Sequence, residues 1–120
     1  MNVAPFDGLV VYATDLKHTL AGVDAALLAE RGAVHPEVAR QLAEGARERC
    51  GATWGLGLTG VAGPDPQDGV APGTVHIGLS GPSGSAVRSL TLGGDRDEVR
   101  KSSTTAALTL LRDHLKIPVE

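Results

Sequence analysis

Aromatic side chains are almost missing from this 120-residue chain, which has one Phe, one Tyr and one Trp: Phe6, Tyr12 and Trp54. A surface that stacks bases needs more of them. The core must instead be closely packed Leu, Val and Ala. Positive charge is also in short supply. Eleven Lys and Arg stand against fourteen Asp and Glu, the net charge is −3, and the cations are dispersed. That leaves no electrostatic footprint for DNA or RNA. No window reaches the roughly 18 apolar residues of a membrane helix, and no signal-peptide pattern precedes the first predicted strand. The single cysteine, Cys50, cannot form an internal disulfide. At a predicted helix end it reads as a packed thiol rather than a nucleophile. A reducing, cytoplasmic setting follows, with no membrane and no nucleic-acid partner. The four histidines, His18, His35, His76 and His114, show no metal-ligand spacing, so no metal is expected.

The stretch 56–79 is what the chain has in place of these features. It reads as a strand, a long Gly/Pro loop and a second strand. The first strand, residues 53–59, delivers the Thr59 hydroxyl at its end. Gly60, Gly63, Pro64, Pro66, Gly69, Pro72 and Gly73 then interrupt regular structure until Thr74. Loops of that length in a compact domain are functional or disordered, and loops at strand ends of α/β sheets are where small ligands sit. Spacing alone leaves both readings open, a ligand loop or a flexible connector.

The chain has the length of one domain, 1–120. Leu9-Val10-Val11-Tyr12 reads as a short buried strand. Residues 15–20 make a short helix ending near Gly22, and 24–31 a second, closed by Gly32. His35-Pro36-Glu37 opens a better helix, because proline suits its first turn and a carboxylate suits its positive end. Val38, Ala39, Leu42 and Ala46 form its apolar face; Arg40, Glu44, Arg47 and Glu48 form its wet face. Residues 74–79 and 86–92 flank Gly81-Pro82-Ser83-Gly84 as a hairpin, with Val75, Ile77 and Leu79 alternating. Asp95 and Glu98 are spaced as a capping box for a last helix. Val99, Ser103, Ala106, Ala107, Leu108, Leu110, Leu111 and Leu115 give that helix a broad apolar face, and Pro118 ends it.

These segments resemble one family. Val11-Tyr12-Ala13-Thr14-Asp15-Leu16-Lys17 is similar to the Tyr-Ser-Asn-x-x-Lys segment of the CinA C-terminal domain family, the nicotinamide mononucleotide deamidases. Residues 32–39 resemble its Gly-Ala-Val-Ser-x-x-Val stretch. Thr59-Gly60-Val61-Ala62-Gly63-Pro64 resembles its Thr-Gly-Ile-Ala-Gly-Pro loop, and Pro72-Gly73-Thr74-Val75 its Val-Gly-Thr-Val strand start. Gly94-Asp95-Arg96 through Arg100 resembles its Gly-Asp-Arg-x-x-x-Arg. The resemblance runs from about Gly8 to Leu115.

The resemblance implies an α/β fold, a mixed β-sheet with helices packed on it as three α/β/α layers, incomplete at the N-terminus. It implies an amidohydrolase of pyridine nucleotide salvage and NAD metabolism. The linear carboxamide of nicotinamide mononucleotide would be split to nicotinic acid mononucleotide and ammonia, without metal or cofactor. The implied nucleophile is a serine assisted by Lys and Tyr. Lys17 would be the base, Tyr12 would donate to or orient the reacting group, and Thr59 would hydrogen-bond the substrate or nucleophile. Gly60, Ala62 and Gly63 would line the substrate. Arg96, with Arg100 as second choice, would meet its anionic part beside free helix N–H groups.

One element of the family pattern has no counterpart. The nucleophile lies upstream, in a Glu-Ser-Cys-Thr-Gly-Gly turn, and no serine precedes Tyr12 here. Helper groups without a nucleophile leave binding and positioning only. The chain is therefore expected to be inactive as given. The alternative is a non-catalytic nucleotide-binding or assembly module. An uncovered sheet edge predicts a homo-oligomer.

Overall fold

The structure, a computed structural model, describes residues 17–18 and 21–115. The strand expected at 9–12, and Tyr12 with it, lies outside the described residues. Two short-range signals set the first helices. Asp24 caps α1 (Ala25–Arg31) by accepting the Ala26 N–H at 2.9 Å, and Gly32, at φ 76°, closes it. His35 caps α2 (Pro36–Cys50), its Nδ1 accepting the Glu37 N–H at 3.1 Å, with proline in the first turn. Gly51 ends α2 in the left-handed conformation at φ 59°, where a glycine pays no Cβ penalty.

Three strands follow: β1 (Gly55–Gly60), β2 (Thr74–Gly81) and β3 (Gly84–Thr91). Among the described residues they form one sheet in the order β1-β2-β3, with both pairings antiparallel. The hairpin predicted around Pro82-Ser83 is present, with Gly81 paired to Gly84. The last helix, α3 (Arg96–Leu115), opens on the expected capping box. Asp95 Oδ1 accepts the Glu98 N–H at 2.9 Å, and Glu98 Oε1 accepts the Asp95 N–H at 3.3 Å.

The fold is α/β, with a helix on each face of the sheet. Val75, Ile77 and Leu79 point to one face and pack with Val99, Ala107 and Leu110 of α3. Gly78, of opposite parity, turns to the other face. There a Cβ on Gly78 would stand 2.2 Å from the Ala39 carbonyl oxygen of α2. Gly55 and Gly57 back onto Ala43 and Ala39 in the same way. The α2 backbone thus rests on a glycine seam. Val38 and Leu42, on its flank, join Ala21, Val23, Leu28 and Ala33 in a second apolar cluster.

Three expectations need correcting. Ala43 and Gly45 are buried on α2, whereas Ala46 is half-buried, because Ala43 lies against the backbone of Gly55 and Gly45 against that of Ala21. The apolar face of α3 is narrower than predicted: Val99, Ser103, Ala107 and Leu110 are buried, but Leu108 is 57% exposed and Leu115 39% exposed. Leu108 lies one residue, about 100° around the helix, from Ala107. Cys50, the last residue of α2, is exposed rather than packed.

Candidate functional site at the loop edge of the sheet

The C-terminal end of β1, the N-terminal end of β2 and the C-terminal end of β3 meet at one edge of the sheet. The loop 61–73 spans it. Val61 N–H donates to Thr74 O at 2.9 Å, Gly73 N–H to Val61 O at 2.7 Å, and Leu92 N–H to Gly73 O at 2.8 Å. These bonds close a neck. Further out, Gln67 and Val70 exchange two backbone hydrogen bonds around Asp68 (φ 50°) and Gly69 (φ 75°). Two consecutive left-handed residues make a type I′ turn, which Asp-Gly suits. The loop thus carries a small hairpin of its own at residues 67–70.

Each predicted residue can be placed against this edge. Thr59 is buried on the α2 face, and its hydroxyl donates to the Ala33 carbonyl at 2.8 Å. Its proton is therefore committed, and toward a ligand the oxygen can only accept. Gly60 lies on the opposite face; a Cβ there would sit 2.7 Å from Thr74 O. Ala62 is half-buried against the cluster under α3. Gly63 adopts φ 91°, and its carbonyl accepts from Arg96 Nη1 at 3.3 Å. Arg96 is exposed at the start of α3, and Arg100, also exposed, follows one turn later. Asp97 and Glu98 share that turn, and the capping box already uses one amide. An anion here would depend on the guanidinium more than on free helix amides.

Lys17 is buried, and burial lowers the pKa of its amine below the usual 10.5. Its carbonyl accepts the Val23 N–H at 2.9 Å. Val23 belongs to the same cluster as Ala33, which holds the Thr59 hydroxyl. The Lys17 segment and Thr59 are thus joined through one packed unit. The Asp68 carboxylate lies 3.4 Å from where a Cβ on Gly32 would stand, so the loop tip touches the turn between α1 and α2.

Sequence reasoning missed a polar row. The register sets Thr59 beside His76 and His76 beside Ser89 on the α2 face. His76 Nδ1 and Ser89 Oγ are hydrogen-bonded at 2.8 Å. Burial first, then the charge of His35, lowers the His76 pKa below 6.5. The available signal was parity: His76 alternates with Val75 and Ile77 and so faces α2 with Gly78. Among the described residues, no three His, Cys, Asp or Glu side chains cluster to hold a metal ion, and no helix is long and apolar enough to cross a membrane. An open depression of about 370 Å³ lies at the other end of the sheet, lined by Glu44, Arg47, Ser80 and Ser85 among others. It gathers none of the loop-edge residues.

The model of the CinA C-terminal domain family matches residues 6–115. A CinA-like protein of Anaeromyxobacter dehalogenans is 51% identical over 106 residues, covering 88% of this chain and 26% of that protein. One from Frankia casuarinae is 50% identical over 105 residues, covering 88% and 24%. The chain thus spans about a quarter of the length of these relatives. A crystal structure of a competence-damaged protein (CinA) superfamily protein from Enterobacter cloacae superposes with a TM-score of 0.86 at 28% identity, over 90% of this chain and 64% of that one.

Proposed function

The chain belongs to the CinA C-terminal domain family, and from that premise we propose that its loop edge binds a pyridine nucleotide as part of a nicotinamide-nucleotide amidohydrolase. The observation that carries the reading is the contact between Arg96 and the Gly63 carbonyl. It gathers a guanidinium, the loop backbone and the end of β1 at one edge, where a small anionic ligand can be held.

The roles divide by chemistry. Arg96 meets the phosphate, with Arg100 one turn behind. Gly60, Ala62 and Gly63 let the ligand approach the loop backbone. Thr59 accepts from the substrate, its own proton being held by Ala33. Lys17 is the base: burial raises the share of neutral amine at neutral pH, which a base needs. Tyr12 orients the reacting carboxamide.

The attacking atom is not among these groups. No serine precedes Tyr12, and four of the later serines are engaged or placed elsewhere. Ser80 is buried near the hairpin turn, Ser85 bonds Glu44, Ser89 bonds His76, and Ser103 donates to Val99 O. By themselves the 120 residues therefore bind and position substrate but turn it over barely or not at all. A second reading, a non-catalytic nucleotide-binding or assembly module, rests on the same Arg96–Gly63 contact, which needs no nucleophile.

The test is an ammonia-release assay on the 120-residue chain, beside a binding titration with nicotinamide mononucleotide. Binding that Arg96→Ala weakens at least tenfold, without turnover, supports the reading. Turnover of about 1 per second or more would show that a residue here replaces the serine. Absence of binding removes the nucleotide site.

A further inference from the structure

We propose that the outer edge of β3 is a self-pairing surface, through which two copies of this chain join their sheets antiparallel about a two-fold axis at Val87. Among the described residues nothing pairs with β3 on its outer side. Edge strands of soluble proteins are commonly blunted by lysine, proline, a bulge or shortness. A charged side chain serves the same end, and Arg88 is the one such protection that β3 carries. The strand pairs with β2 without interruption from Gly84 to Thr91, contains no proline or lysine, and carries one charge, Arg88. That charge is turned to its own chain, 3.7 Å from Asp113 on α3.

The hydrogen-bond pattern fixes what the edge offers. Gly81 and Gly84 flank a two-residue turn, so they form a bonded pair, and bonding alternates from there. Ala86, Arg88 and Leu90 bond inward to β2. Ser85, Val87, Ser89 and Thr91 turn their N–H and C=O groups outward. With Val87 opposite Val87 of the second copy, Ser85 falls opposite Ser89, and every bonded pair joins outward-facing residues. Val87 is 38% exposed, an apolar residue at the centre of an otherwise polar strand. The neighbouring register centred on Arg88 would place two guanidinium groups face to face, a repulsive pairing. Centred on Val87, Arg88 meets Ala86 instead.

The side chains agree with this register. On the α2 face Ser85 donates to Glu44, and Ser89 is bonded to His76. The two-fold sets Ser85 of one copy opposite Ser89 of the other, so that two small hydroxyl side chains, each already bonded within its own copy, meet without a clash of charge. The helices leave room. With α2 chiefly over β1 and β2, a strand spacing of about 4.8 Å separates the two α2 axes by about 19 Å, well beyond helix-contact distance.

The test is sedimentation or light scattering of the 120-residue chain at about 100 µM, suited to an interface this small. The wild type should be a dimer. Val87→Lys and Val87→Glu should each be monomeric, with dimerisation weakened at least tenfold, and an equimolar mixture of the two should restore the dimer. Leu58→Lys, on the exposed side of β1, should leave it intact. Hydrogen exchange of the wild type gives a readout free of any variant. The amides of Ser85, Val87 and Ser89 should gain protection with protein concentration, whereas those of Ala86 and Arg88 stay constant. A monomeric wild type, a dimer that survives Val87→Lys, a mixture that stays monomeric, or edge amides indifferent to concentration would each overturn the proposal.

Discussion

Gly78→Ala adds one methyl group where the structure has no space for it. The new Cβ would stand 2.2 Å from Ala39 O, 2.5 Å from Ala39 C and 2.8 Å from Arg40 N. All three are backbone atoms in the middle of α2, so no side chain can swing aside. Either the helix lifts or the strand bends, and overpacking of this kind costs about 2–3 kcal/mol. For a chain of this size the unfolding entropy at the midpoint is roughly 250 cal/mol/K, which converts that cost to a fall of about 8–12 °C in Tm. Two other glycines separate space from backbone conformation. Gly51 has nothing within 4 Å of its Cβ position but sits at φ 59°, so alanine costs about 1 kcal/mol by conformation alone. Gly93 has neither restriction, and alanine there should stay within about 0.5 kcal/mol of the parent. Calorimetric melting of the three variants should rank Gly78→Ala below Gly51→Ala below Gly93→Ala. A Gly78→Ala variant that melts with Gly93→Ala would refute the seam as a close-packed contact.

Thr59→Val keeps the side-chain shape and removes the donor to Ala33, leaving a buried carbonyl short of its partner. A loss of about 1–3 kcal/mol is expected in urea unfolding, and no loss would mean that the bond is replaced. Asp95→Ala removes the acceptor for the Glu98 N–H and should cost about 1 kcal/mol, read from the same transition. His76 is held below 6.5 by burial and by His35, so the unfolded chain binds its proton more readily. Stability should therefore fall as pH drops from 6.5 through the folded-state value. His76→Gln should flatten that slope, and an unchanged slope would assign the effect to another group.

Punctuation made much of the fold legible. Asp24, Gly32, His35-Pro36, the Pro82-Ser83 turn and the Asp95–Glu98 box are short-range signals, and each appears where its chemistry places it. Packing between distant segments was not legible. Nothing local marks Gly55, Gly57 and Gly78 as one seam, because only the β1–β2 register aligns them under Ala39 and Ala43. The same holds for the site. Thr59, Gly63 and Arg96 could be singled out by motif, but the engagement of the Thr59 proton by Ala33 depends on a residue 26 positions away. His76 and Ser89 were invisible as a pair until the hairpin register set them side by side. Leu108 was misread because a rich run of apolar residues on α3 hides which of them the sheet can reach.

The loop 61–73 touches more than its own neck. On the α3 side Gly63 is held by Arg96, and on the α2 side Asp68 lies against Gly32. The sheet keeps those two helical layers apart, so the loop acts as a strap across its end, tying one layer to the other. The fastening at Arg96 is long, at 3.3 Å, and exposed, and it uses the guanidinium that a phosphate would also seek. The strap does not depend on that one fastening, because the backbone bonds of the neck and the Asp68 contact remain when Arg96 is removed. Loss of the guanidinium would therefore free one side of the loop and leave its base and its tip in place.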